Sequence, residues 1–154
     1  MEVSAESVKS FLESASLINS ISNDKLSRYL SLYERATKST TTLTGMPGGG
    51  NSDHEAVLAT LVDAAEDTKV WEALVQERRK LVSRFLNEAE IDDYYKELLI
   101  RRYLVGVSWH FLFLTLRDKK DMSERKMYYD HNKALEACAE WVNTTGKYIE
   151  EISK

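Results

Sequence analysis

The feature that most constrains the fold is an apolar rhythm that runs through residues 52–89 without a proline or a glycine. Apolar side chains recur there at intervals of three and four, which is the spacing of one face of an α-helix. At ~1.5 Å per residue such a helix is about 55 Å long, so it needs a partner along its length. A similar stripe in residues 4–38 supplies one, although its rhythm slips at residues 22–24. We therefore predict a coiled-coil-like antiparallel hairpin, and the same stripes could also pair two chains as a homodimer.

The two stripes are separated by the low-complexity segment STTTLTGMPGGGNS, residues 39–52. Threonine, glycine and proline form helices poorly, so this segment is predicted to be a flexible connector. Gly45 and Gly50 have the spacing of a phosphate-binding loop, but Asn51 stands where that motif needs the lysine that reaches the phosphates. No apolar strand precedes the loop, so the connector interpretation is preferred.

Three shorter helices are predicted after a break at Ile91 and Asp92. The first is stopped at Gly106, the second opens at Ser108 and Trp109, and the third starts near Met122 after a polar turn at residues 117–121. Their order is that of a helix-turn-helix. The predicted fold is all-α, with a helical hairpin arm in residues 1–90, a helix-turn-helix domain in 91–146 and a charged tail in 147–154.

The chain resembles the small phage and prophage transcription regulators of the ArpU and RinA type, whose C-terminal halves look like region 4 of sigma factors. Three patches carry the resemblance: Arg35-Ala36-Thr37-Lys38 with Thr42 to Gly50; Arg102-Tyr103-Leu104-x-Gly106-x-Ser108-Trp109 with Leu112 and Leu116; and Ser123-x-Arg125-x-Met127-Tyr128-x-x-His131-x-x-Ala134-Leu135. The resemblance implies a sigma-like helix-turn-helix whose third helix enters the major groove of DNA.

The outer face of that third helix offers side chains suited to phosphates and base edges. The predicted DNA contacts are Arg117, Lys119, Lys120, Ser123, Arg125, Lys126, Tyr128, Tyr129, Asn132 and Lys133. The first three are expected to hold the phosphate backbone. Two alternatives stay open nearby: Arg101 and Arg102 contact phosphate or pair with Glu97 and Asp118, and His131 contacts phosphate or packs between helices. Trp109 is expected to be a core residue.

Charge is distributed unevenly along a chain whose formal net charge is −4. Residues 96–133 contain nine Lys or Arg and five Asp or Glu, a local excess of +4, and the remainder of the chain carries −8. This asymmetry is expected when one part of a protein meets phosphate and another does not.

Enzymatic chemistry is not predicted. Cys138 is the only cysteine, and the three histidines show no metal-ligand spacing, so neither a disulfide nor a metal or other cofactor is expected. The acidic pairs lie beside predicted helix ends, where Asp has a capping role, and no nucleophile-base pair is recognisable. The N-terminus has no basic region followed by an apolar run, and no apolar run approaches ~20 residues, so neither a signal peptide nor a membrane span is expected.

Two functions follow as expectations. The first is a sequence-specific DNA-binding regulator of phage or prophage late-gene transcription, in the cytoplasm of a bacterial host, with double-stranded DNA as its partner. Its arm would dimerise or contact host RNA polymerase. The second is a coiled-coil adaptor that docks RNA polymerase or another protein without reading DNA. The acidic arm, Phe113, and the acidic residues Asp121, Glu124 and Asp130 near the third helix favour the second.

Overall fold

The computed structural model describes residues 2–41, 51–118 and 122–154, with side chains at all of these except 39–41 and 51–54. The helices are α1 (Ala5–Thr41), α2 (Asn51–Glu88), α3 (Asp93–Leu99), α4 (Trp109–Arg117), α5 (Glu124–Thr145) and α6 (Ile149–Ile152), and α3 continues into a π-helical segment, Ile100–Val105. The described residues contain no strand, which confirms the predicted all-α class.

The two long helices extend further than their sequence stripes indicated. α1 continues to Thr41 and α2 begins at Asn51, so helix replaces both ends of the predicted connector, residues 39–52. α1 also passes through residues 22–24 without a break, and Ser22 is buried there. The centre of the connector, with Gly45 and Gly50, lies outside the described residues.

The chain forms two compact units, one made of residues 2–17 with 77–154 and the other of residues 18–76. This division differs from the predicted one, which placed the arm in residues 1–90, the helix-turn-helix domain in 91–146 and a tail in 147–154. The reason is packing: the start of α1 and the end of α2 contribute to the same core as the C-terminal helices.

Phe85 lies at the centre of that core and is fully buried. Its ring meets those of Phe11, Trp141 and Tyr148 edge to face, with centroid distances of 5.4, 5.9 and 5.3 Å. Such edge-to-face pairs add to the large apolar area that aromatic rings bury. Tyr148 takes a left-handed backbone conformation (φ 63°) in the segment expected to be a tail, and Ile152 beside it is buried, so this segment completes the core.

A second, smaller core joins α3, α4 and α5. Its buried members are Leu98, Leu112, Leu116, Met122 and Met127, and Phe113 packs against them as a half-buried residue. Phe113 is therefore part of the packing between these helices and not a surface feature.

Short polar caps set the ends of these helices, close to where the sequence placed them. Gly106 ends the π-helical segment in a left-handed conformation (φ 80°) that a residue with a side chain adopts only with strain. The hydroxyl of Ser108 accepts a hydrogen bond from the Phe111 amide at 3.2 Å, and that of Ser123 accepts one from the Lys126 amide at 3.1 Å. Both are N-caps, which satisfy backbone donors that a helix start leaves unpaired.

The unit of residues 18–76 is an antiparallel pair of helices. Lys25 Nζ lies 2.8 Å from Asp67 Oδ2, and residues 19–26 line a groove with residues 69–76. Residue numbers thus rise on α1 as they fall on α2, which confirms the predicted antiparallel hairpin within this unit. No helix in the described part of the chain is long and apolar enough to cross a membrane.

Candidate nucleic-acid interface

Helix α5 has one buried face and one exposed face, and this division selects the side chains available to a partner. The buried face comprises Met127, Asp130, His131, Ala134, Leu135, Cys138, Ala139, Trp141 and Val142. Opposite it, Arg125, Tyr129 and Asn132 stand at i, i+4 and i+7, which places them in one line along the exposed face. We call this line the α5 outer face.

Most of the predicted DNA contacts are accessible. Seven of them are exposed, namely Arg117, Ser123, Arg125, Lys126, Tyr128, Tyr129 and Asn132. Tyr128 is 45% exposed although its ring packs on a neighbouring helix, and Lys133 is half-buried. Lys119 and Lys120 lie outside the described residues, as does Asp121, which the adaptor hypothesis invoked.

The first turn of α5 carries the cations best placed to act on a ligand. Among the described residues, neither Arg125 nor Lys126 forms an ion pair. Both follow the capped helix start, where the helix dipole adds positive potential. Ser123 contributes as the cap that orders this turn, and Glu124 adds one negative charge beside it.

Lys133 is engaged within the helix. Its Nζ lies 2.6 Å from Glu136 Oε2 and 5.6 Å from the centre of the Tyr129 ring. The hydrogen bond with Glu136 raises the pKa of Lys133. The positive character of the α5 outer face is therefore concentrated in its N-terminal half.

An aromatic stack fixes α5 against α4. The Tyr128 ring lies 5.0 Å from that of Trp109, and the Arg102 guanidinium carbon lies 4.6 Å from the Trp109 ring centre. Arg102 also donates a hydrogen bond to the Val107 carbonyl at 3.0 Å. Tyr128 and Arg102 thus position the helix, and Trp109 has the packing role that the sequence suggested, as a half-buried residue.

His131 is a packing residue rather than a phosphate ligand. It is buried, its Nε2 lies 2.8 Å from the Tyr103 hydroxyl, and its ring meets Trp109 edge to face at 4.8 Å. Burial lowers the pKa of His131 to about 4, although a side-chain hydrogen bond with Asn132 opposes the shift. At neutral pH the imidazole is uncharged and offers no attraction to phosphate.

Asp130 also faces inward. The Tyr94 hydroxyl donates a hydrogen bond to Asp130 Oδ2 at 3.0 Å, and burial followed by this contact raises the pKa of Tyr94. The adaptor hypothesis counted Asp130 as a negative charge near the third helix's face. The structure corrects this, because the carboxylate is buried on the side away from the α5 outer face.

The arginines outside α5 have local partners. Arg101 Nη2 lies 2.6 Å from Glu97 Oε1, which selects the ion-pair alternative for Arg101. Arg117, exposed at the end of α4, lies 3.6 Å from Asp118. An exposed pair of this kind is weak, so phosphate can replace the carboxylate.

A second basic surface was not predicted from the sequence. Arg79, Lys80 and Arg84 line one groove at the end of α2 together with Asn87 and Leu104. Arg79 Nη2 donates to the Leu104 carbonyl at 3.0 Å, which ties α2 to the π-helical segment. The run Arg78-Arg79-Lys80 could have indicated this surface, but these residues lie within the long apolar stripe of α2 and were interpreted only as part of that helix.

In the described ranges no group of three His, Cys, Asp or Glu side chains is placed so that it could hold a metal ion. Cys138 is fully buried, and burial raises its pKa to about 12, so the reactive thiolate is scarce at neutral pH.

Comparison of the chain with protein-family models, with curated proteins and with solved structures produced no match.

Proposed function

We propose that the protein is a sequence-specific DNA-binding regulator of phage or prophage late-gene transcription. The observation that carries the proposal is the α5 outer face, where Arg125, Tyr129 and Asn132 share one exposed line and Lys126 flanks it. Arginine pairs with guanine and asparagine with adenine in the major groove, and tyrosine and lysine contact phosphates.

The packing behind this face supports the proposal. Recognition needs a helix held rigidly, and α5 is anchored by the Trp109 stack and the part-buried Tyr94–Asp130 hydrogen bond. The Ser123 hydroxyl caps its first turn. Its cations are concentrated in the first turn, the part of a recognition helix whose residues contact base edges in helix-turn-helix proteins. Lys119 and Lys120, with Arg117, are proposed to hold the backbone.

The test begins with duplexes selected from a random library on the purified full chain. Affinity for the enriched duplex and a scrambled one is then titrated at ~50 mM and ~200 mM salt, because a handful of phosphate contacts predicts a loss of about 10³-fold or more. Arg125→Ala with Lys126→Ala is expected to weaken binding, to relax specificity at the base that Arg125 contacts and to flatten the salt dependence by about one phosphate equivalent, that of Lys126. The matched control replaces two exposed lysines outside α5, Lys147→Ala with Lys154→Ala. It should leave the affinity and its salt dependence nearly unchanged.

Asn132→Ala separates base reading from phosphate binding. It is expected to reduce discrimination between the selected and scrambled duplexes by about 1–3 kcal/mol while keeping the salt dependence. Absence of any enriched duplex, or equal affinity of the Arg125 and Lys126 double variant, would refute recognition by α5.

A second candidate is the protein-interaction adaptor. The observation that favours it is a set of exposed apolar side chains on α2, which includes Val70 at 59% and Leu74 at 40% exposure. The hairpin of residues 18–76 also carries five Lys or Arg against eight Asp or Glu. Binding of purified host RNA polymerase in the absence of DNA, lost in Val70→Glu with Leu74→Glu, would support the adaptor.

A further inference from the structure

The groove at the end of α2 carries a set of cations separate from those of α5. Arg79, Ser83 and Asn87 stand at i, i+4 and i+8, which places them in one line along the helix. Lys80 and Arg84 stand at i and i+4 and form the adjacent line. All five line the groove, and all are exposed except Ser83, which is half-buried. We call the surface that they form the α2 basic groove.

The charges of the α2 basic groove have no counterion within the described part of the chain. Neither its two arginines nor Lys80 forms an ion pair there. A further cation lies at the far end, where Lys96 Nζ donates a hydrogen bond to the Asn87 carbonyl at 3.2 Å. Cations one helical turn apart, such as Lys80 and Arg84, repel each other. An anion bound in the groove would relieve this repulsion.

Glu88 is the one acidic side chain that lines the groove among the described residues, and it has a partner. Burial raises the pKa of Tyr148, and a hydrogen bond with Glu88 raises it further. Glu88 is thus engaged by a side chain of the main core, at the end of the line that starts with Lys80. With Lys96 included, four cations stand near one carboxylate.

The opposite wall of the groove holds Arg79 in place. Arg79 Nη2 donates a hydrogen bond to the Leu104 carbonyl at 3.0 Å, which leaves other N–H groups of the same planar guanidinium for the oxygens of a ligand. A guanidinium that is already oriented loses little side-chain entropy when it binds an anion. Leu104 belongs to the π-helical segment Ile100–Val105, and π-helical turns frequently mark functional sites.

We propose that the α2 basic groove binds the phosphate backbone of double-stranded DNA independently of its sequence, as a second contact besides α5. The anionic character of the ligand follows from the groove, and its identity as DNA rests on the proposed function. The groove runs about 12 Å along the helix from Arg79 to Asn87, at ~1.5 Å per residue. One strand of a duplex carries a phosphate every ~3.4 Å along the axis, so about three successive phosphates fit this length.

The lining favours the backbone of a duplex over other polyanions. Every polar side chain of the lining except Glu88 can donate hydrogen bonds to phosphate oxygens. None of the lining residues in the described chain is aromatic, whereas proteins bind single strands by stacking the bases on aromatic rings. Leu104 is the one apolar residue of the lining, which is too little apolar surface for the core of an interface with an acidic protein.

The test uses the full chain, with the selected and the scrambled duplex at ~50 mM and ~200 mM salt. Lys80→Gln with Arg84→Gln removes two exposed cations and keeps good helix-forming residues. The affinity for both duplexes should fall by the same factor, about 10- to 100-fold at ~50 mM salt. The slope of log affinity against log salt should become shallower by about two, and the ratio of the two affinities should stay the same.

Two matched variants show whether the effect belongs to charge in the groove. Lys80→Arg with Arg84→Lys keeps both charges and should bind as the wild type does. Lys69→Gln with Lys154→Gln removes two exposed cations outside the groove and should leave the slope nearly unchanged. Helical circular dichroism checks that each variant is folded.

Three results would overturn the proposal. One is an unchanged salt slope in Lys80→Gln with Arg84→Gln. Another is a loss of affinity confined to the selected duplex, which would mean that the groove reads sequence. The third is loss of polyaspartate binding in this variant with duplex affinity retained, which would identify an acidic protein segment as the ligand.

The inference and the proposed function fail in different ways. Asn132→Ala acts on the ratio of the two affinities, whereas the groove variant acts on both affinities equally. If no duplex is enriched but the groove variant still weakens binding to every duplex, the proposed function falls and the α2 basic groove stands. Absence of binding between the wild type and any duplex at ~50 mM salt would overturn both.

Discussion

The two units of this protein are built from the same two long helices, yet they differ in how much of them is buried. Of the 25 buried hydrophobic residues in the described part of the chain, 23 belong to the larger unit and two to the hairpin of residues 18–76. Along α2, Val82, Phe85 and Leu86 are fully buried whereas Leu58 and Val62 stand in solvent. The two parts of α2 thus have the same three-and-four spacing of apolar residues but differ in burial, because burial depends on how many other helices pack against each part.

The largest expected effect comes from the centre of the larger unit. Phe85→Ala should lower the free energy of unfolding by about 3–5 kcal/mol, because it removes a fully buried ring and leaves a cavity among Phe11, Trp141 and Tyr148. Urea unfolding followed by helical circular dichroism measures it. Leu74→Ala, a half-exposed position on the same helix, should change stability by less than about 0.5 kcal/mol. Similar losses of unfolding free energy in the two variants would contradict the difference in burial between the two units.

Acid should weaken the larger unit through His131. Burial lowers the pKa of His131 from the ordinary value near 6.5 to about 4, so between these pH values His131 is protonated in the unfolded chain but not in the folded protein. The contribution of His131 to the free energy of unfolding is therefore fully present above about pH 6.5 and is lost as the pH falls towards 4. The loss is at most about 3.5 kcal/mol, at ~1.4 kcal/mol per pKa unit. Urea titrations between pH 7 and pH 4 measure it.

The variant His131→Gln isolates this contribution from that of the carboxylates. It lacks the titrating group, so its stability should fall less between pH 6.5 and pH 4 than that of the wild type. Parallel pH profiles for the two proteins would show that His131 is not the group responsible.

The smallest effect is expected in the hairpin. Lys25 and Asp67 form an ion pair at 2.8 Å, but both side chains are about one-third or more exposed. Solvent screens such pairs, so a double-mutant cycle with Lys25→Met and Asp67→Asn should yield a coupling energy below about 1 kcal/mol that shrinks with salt. A coupling above 2 kcal/mol would mean that the pair is shielded from water.

Much of the local structure could be predicted from the sequence. The all-α class, the antiparallel hairpin, the stop at Gly106 and the start at Trp109 follow from periodicity and from capping residues that act on their own turn. The long helices were underestimated at the connector, where α1 reaches Thr41 and α2 begins at Asn51, because threonine and asparagine are weak but not prohibitive helix residues.

The candidate interface was predictable in outline. The sequence placed Arg125, Lys126, Tyr129 and Asn132 on an outer face, and they are exposed there. It did not distinguish Tyr128 and Lys133, which look equally available in the sequence but engage Trp109 and Glu136. The partner of Tyr128 lies on a neighbouring helix, which helical spacing cannot reveal. Lys133 and Glu136 stand at i and i+3, so helical spacing does make that pair available and the sequence analysis overlooked it.

The sequence by itself determined most of the helices of this chain, apart from the ends at the connector and the continuity through residues 22–24, because helix formation depends largely on residues within a few positions of each other. Only the tertiary structure decided that His131 and Asp130 face inward, that Tyr148 completes the core and that the compact units divide within the long helices. These outcomes depend on contacts between distant segments, such as that of Phe11 with Phe85. An apolar stripe specifies which face a helix will bury, whereas the presence of a partner on that face is settled only when the whole chain has packed.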